Sequence, residues 1–127
     1  LVRHTYPPPE EDGFTPDALR DFKDQLYTLL EMRMYGSACA MVMHWCGVSW
    51  DDVVLIYTEG AKKYAPNNWK LLTPVSRFMS AALRHIKPGT NEDDFGVSHW
   101  AHFCWNMVAL RWFEKRGIVL EVAEEDK

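Results

Sequence analysis

Apolar residues return at three- and four-residue intervals along most of this chain, the spacing of one face of a helix. Leu19, Phe22, Leu26, Leu29 and Leu30 form the first such series. Thr15-Pro16-Asp17 stands before it: a capping hydroxyl, a proline at the first helical position, and an acid at the positive end of the dipole. The pattern predicts a helix from Thr15 to about Met34, with Tyr35-Gly36 as its break. Asp17, Asp21 and Asp24 fall on the opposite side among Arg20 and Lys23 and read as a solvated face.

Ser37 to Cys46 is apolar almost all round, which predicts a helix buried in the domain or at a subunit interface. His44 within it is then a hydrogen-bonded core histidine, and Gly47 ends the segment. Ser49-Trp50-Asp51-Asp52 restarts a helix with a capping-box pattern, followed by Val53, Val54, Ile56 and Tyr57. Pro66-Asn67-Asn68-Trp69 is loop chemistry. Thr73-Pro74 opens a helix from Val75 to about Lys87, stopped by Lys87-Pro88-Gly89. After the acidic loop Glu92-Asp93-Asp94, Ser98 caps the longest helix, which runs to about Arg116 with Gly117 beyond it. Ile118 to Val122 is a short β-like run.

These elements predict an all-α, compact bundle of four or five helices, a single domain over residues 15–127. Residues 1–14, with Pro7-Pro8-Pro9 and Glu10-Glu11-Asp12, predict an extended, flexible arm.

Composition narrows the partners. The chain has 127 residues, 47% hydrophobic and 25% charged, and a formal charge of −4. That balance suits a globular domain and argues against one that coats a nucleic-acid polymer through its phosphates. No apolar run approaches the length of a membrane span, so no membrane is expected. Cys39, Cys46 and Cys104 lack the spacing of a zinc site or a disulfide framework. They read as reduced, buried thiols, which predicts a cytoplasmic protein. The abundance of tryptophan and the apolar 37–46 segment predict a homo-oligomer, a dimer or tetramer.

The candidate chemistry lies between Thr58 and Trp112. His99, His102 and Asn106, at i, i+3 and i+7, share one helix face, and Arg84-His85 precedes them. Such groups can bind phosphate, move protons or ligate a metal; they can also be a polar seam in an aromatic core. Lys62 and Lys63 suit phosphate as well as they suit the end of a helix. Asn68 and Trp69 can read and stack on a base, or make an Asx turn and anchor a loop. Asp52 and Glu59 lie two turns apart on one face and, with acids from another helix, can hold a divalent ion.

Taken together, Gly60-Ala61-Lys62-Lys63-Tyr64, Asn68-Trp69, Ala82-Leu83-Arg84-His85, His99-Trp-Ala-His102 and Trp105-Asn106 resemble the signature of the dATP/dGTP diphosphohydrolase-like family, frequent in bacteriophage genomes. The resemblance spans Val53 to Phe113 and implies an all-α MazG-like nucleoside triphosphate pyrophosphatase. It implies metal-dependent hydrolysis of purine deoxynucleoside triphosphates to monophosphate and pyrophosphate, with Mg²⁺ or Mn²⁺ as cofactor, in the host cytoplasm of a phage-infected cell. On that reading Asp52, Glu59 and Asp94 are the metal ligands. Lys62, Lys63, Tyr64, Asn68, Trp69, Arg84, His85 and Asn106 bind substrate, and His99, His102 and Asp94 are catalytic. Between Val53 and Phe113 the sequence carries neither the Glu-x-x-Glu nor the Glu-x-x-Asp typical of MazG-like enzymes. The alternative is a non-catalytic helical module that binds a nucleotide or a host protein.

Overall fold

The computed structural model describes residues 15–64, 67–71, 74–86 and 96–118, with Tyr64 by its backbone alone. Among them are five α-helices: α1 (Pro16–Glu31), α2 (Tyr35–Cys46), α3 (Trp50–Tyr64), α4 (Ser76–Ile86) and α5 (His99–Lys115). A 3₁₀ turn, Asn68–Leu71, lies between α3 and α4. The expected helical bundle is therefore what the chain forms. The expected N-terminal arm, the Thr73 cap, the Lys87-Pro88-Gly89 stop, the acidic loop with Asp93 and Asp94, and most of the run after Ile118 lie outside the described residues.

Local chemistry sets the helix ends. The Thr15 hydroxyl accepts a hydrogen bond from the Ala18 amide at 3.2 Å, and Ser98 does the same for Ala101 at 3.3 Å. Ser49 and Asp52 close a reciprocal capping box, with both N–H···O contacts at 3.3 Å. Gly47 takes the left-handed φ of 70° that ends α2, and α2 and α3 meet at 113° across this break.

Two expectations are corrected here. The first helix stops at Glu31, and Tyr35, expected at the break, is instead the first residue of α2 and is buried. The turn is made earlier, by Arg33 at φ 58°, while the Arg33 and Met34 amides donate to the Leu30 and Leu29 carbonyls. A left-handed non-glycine residue costs about 1 kcal/mol. The burial of Tyr35, which this turn directs inward, offsets that cost.

The second correction concerns α2. It buries Tyr35, Ala38, Cys39, Val42 and Trp45 on one side, yet Ala40 and His44 are exposed. His44 is thus a surface residue whose ring meets Trp45 edge-on at 5.2 Å, not a core histidine. The helix packs mainly against α5 and α1.

The hub of the fold is α5, against which α2, α3 and α4 all pack. It buries Trp100, Phe103, Cys104, Met107, Leu110 and Phe113, on more than one face, as a central helix must. Phe22 of α1 reaches Trp100 edge-to-face at 5.6 Å. Helix α4 contributes Phe78, Ala82 and Ile86. Helix α3 buries Val53 and Ile56 but leaves Trp50, Val54 and Tyr57 exposed. Among the described residues no single helix is long and apolar enough to cross a membrane.

Candidate functional site

Three imidazoles meet where the last turn of α4 faces the first turn of α5. His85 Nδ1 and His99 Nδ1 are 2.9 Å apart. The ring centres are 5.1 Å apart, close to the most that this contact and the two ring radii allow, so the nitrogens point almost straight at each other. His102, one turn further along α5, stacks on His85 at 4.8 Å with the planes 16° apart.

The nitrogen-to-nitrogen contact constrains the protons. One Nδ1 must donate and the other accept, so the neutral pair consists of opposite tautomers. At their far sides, one Nε2 then carries a hydrogen and the other a lone pair. An acid and a base of one chemical type stand side by side. His85 and His99 are half-buried and His102 is buried, so the pair keeps a route to solvent from a largely enclosed base.

Asn106 continues the same face of α5, and its amide donates to the His102 carbonyl at 2.8 Å. It is buried and braces the helix beneath His102. Arg84, in the last turn of α4, is exposed beside the cluster in sequence. The spacing of His99 and His102 revealed the shared face in the sequence; that His85 would reach it required the α4–α5 pairing.

Trp69 has a different setting. From the 3₁₀ turn its indole meets Trp105 at 4.9 Å, Trp112 at 5.2 Å, Phe113 at 5.9 Å and Phe78 at 6.3 Å, all near-perpendicular. Lys70 lies over both Trp69 and Trp112, and the Arg116 guanidinium covers Trp112 at 3.9 Å. Edge-to-face contacts on this scale occupy the surfaces a nucleobase would stack on. Tyr57 ties α3 to the same group through Trp105, and its hydroxyl donates to Asn67 at 3.4 Å. Asn68 begins the turn.

On α3, Glu59 pairs with Lys62 at 2.9 Å on the surface, Lys63 is exposed in the same turn, and the Asp52 carboxylate caps the helix. An ion shared by Asp52 and Glu59 would have to take one from its cap and the other from its lysine. Among the described residues no three His, Cys, Asp or Glu side chains converge on a point that suits a metal ion. Hard ions such as Mg²⁺ take oxygen donors, whereas the cluster supplies nitrogen. The described residues thus do not by themselves form an Mg²⁺ or Mn²⁺ site. Asp94 and the Tyr64 side chain fall outside them.

The cysteines are closer together than their spacing suggests. All three are free thiols, and the Cys104 thiol lies against the Cys39 carbonyl at 3.9 Å across the α2–α5 contact.

With this geometry in place, the chain was compared with known proteins. The family described as dATP/dGTP diphosphohydrolase, N-terminal, matches residues 37–122, well over half of the chain. The chain belongs to that family. The matched region begins at α2 and takes in all of α3, α4 and α5, and with them the histidine cluster. No curated protein and no solved structure matches the chain.

Proposed function

We propose that this protein hydrolyses purine deoxynucleoside triphosphates, dATP or dGTP, to the monophosphate and pyrophosphate. The observation that carries the reading is the His85–His99 contact inside the region that defines the family. Hydrolysis of a phosphoanhydride needs a proton removed from water and one delivered toward the departing pyrophosphate. The bare Nε2 of one ring suits the first task and the protonated Nε2 of the other the second. The stacked His102 holds His85 in plane, and Asn106 steadies the turn that presents His102. Arg84, Lys62 and Lys63 supply positive charge for the phosphates.

A divalent ion, Mg²⁺ or Mn²⁺, would when bound supply charge neutralisation for the triphosphate in this reading. Asp52, Glu59 and Asp94 are its proposed protein ligands, and Glu59 and Asp94 are the sharper tests. Loss of turnover in folded Glu59→Gln and Asp94→Asn supports the assignment; full activity in both removes it. The protein is proposed to act in the cytoplasm as a homo-oligomer.

The deciding experiment is pyrophosphate release from each of the eight common ribo- and deoxynucleoside triphosphates, with Mg²⁺ and with Mn²⁺. Pyrophosphate from dATP or dGTP that disappears in His99→Ala is the expected result. No turnover from folded protein overturns the enzyme reading and leaves a module that binds a nucleotide or a host protein. Thermal stabilisation by a nucleotide would then separate those two.

A further inference from the structure

A groove of about 620 Å³ runs between α2 and the middle of α5 and reaches the first residue of α3. Gly36, Ala40, Met43, Trp50, Met107 and Arg111 are among the residues that line it, and its walls are overwhelmingly apolar. Trp50 is 57% exposed, and Val54 at 56% and Tyr57 at 38% follow it at i+4 and i+7 along one side of α3. A hollow and a line of projecting apolar side chains thus adjoin, with Trp50 common to both.

We propose that this face is the contact between two copies of the chain, related by a two-fold axis, with Trp50 of each copy seated in the groove of the other. The proposal rests on the homo-oligomer reading above and names its interface.

Charge singles out a second copy as the occupant. Beside a two-fold axis each residue meets its own duplicate, so a charge placed there repels itself. Helix α2 has no Asp, Glu, Lys or Arg among its 12 residues, in a chain of which 25% is charged. Among the described residues of the walls Arg111 alone carries a formal charge, and it brings its counter-ion with it, Glu114 at 3.0 Å. Two chains of net charge −4 can therefore meet here without opposing like charges across the groove. An unlike partner is selected through opposite charge, which this face does not offer, whereas permanent contacts between copies are the more apolar kind. The area is of the right order. At ~200 Å² per aromatic side chain, Trp50 and Tyr57 leave roughly 200 Å² to be covered. That is about a quarter of the ~800 Å² that a stable contact takes from each partner, and Val54 and the walls of the groove extend it.

Sedimentation equilibrium of the full chain over a range of concentrations tests the interface. The parent should weigh twice the 14.8 kDa of one chain. Ala40→Glu and Trp50→Glu each put a carboxylate into the contact and should weaken self-association by about 30-fold or more. Both should keep the helical circular-dichroism spectrum, because Ala40 is exposed and an acid in the first turn of α3 suits the helix dipole. Should either fail to fold, Gly36→Gln takes its place, since a side chain begun there meets nothing within 4 Å in the single chain. Thr28→Glu, which adds the same charge at an exposed position of α1, should leave the dimer intact. A dimer that survives the groove substitutions, or one that Thr28→Glu dissociates equally, overturns this interface and leaves the homo-oligomer standing. A parent that stays at 14.8 kDa at every concentration overturns both. No readout here is turnover, so the hydrolase reading stands or falls separately.

Discussion

At the N-terminal end of α5 two imidazoles meet nitrogen to nitrogen; from one turn beyond His102 onward, Trp69 meets the side chains of the same helix edge to face. Both regions drew attention in the sequence for the same reason, an unusual density of groups able to contact a nucleotide. Their surroundings separate them. The histidines direct polar atoms at one another and gather three imidazoles at one point. The indole of Trp69 meets four other rings, so its faces and edges are largely taken by the protein itself. A ring enclosed by other rings is a fastener, whereas proton-carrying groups gathered at one point have the chemistry to act on a ligand.

The sharpest way to break this contrast is to remove an imidazole. His85→Ala and His99→Ala should each lower turnover of dATP or dGTP by about 100-fold or more, measured as pyrophosphate release, with the melting temperature close to that of the parent. Unchanged turnover in both would return the cluster to the core. Trp69→Ala should do the reverse. Chemical denaturation should show a loss of about 3 kcal/mol, with turnover per folded molecule preserved. Trp69→Phe should cost less than ~1.5 kcal/mol, because it keeps a ring and removes a buried N–H without a partner among the described residues. If Trp69→Phe instead raises KM without altering stability, the ring contacts substrate after all.

Two smaller effects bear on α3. Asp52→Ala should cost about 1 kcal/mol through the broken capping box, read by thermal unfolding. Glu59→Gln should change stability by less than ~0.5 kcal/mol, since its partner Lys62 is largely exposed. Any large fall in turnover from Glu59→Gln would therefore be chemical in origin.

Much of the fold was legible because its signals are local. Thr15-Pro16, Ser49-x-x-Asp52, Gly47 and Ser98 mark helix ends through groups within a few residues of one another, and all four act as read. The break after Glu31 was misplaced because Arg33, with no glycine to announce it, adopts the left-handed conformation. His44 was read as core because composition alone makes α2 apolar all round; which side is covered depends on where α1 and α5 lie. His99 and His102 were legible from spacing within one helix. The contact with His85 was not, since it depends on which helix packs on α5 and at what register.

The position of α5 in the chain has a consequence for synthesis. Three helices use it as a packing surface, and it is the last of the five to leave the ribosome. At ~5–20 residues per second, α1 waits roughly 4–17 seconds before the hub helix has been made. Until then the sides of α2, α3 and α4 that pack on α5 lack that partner.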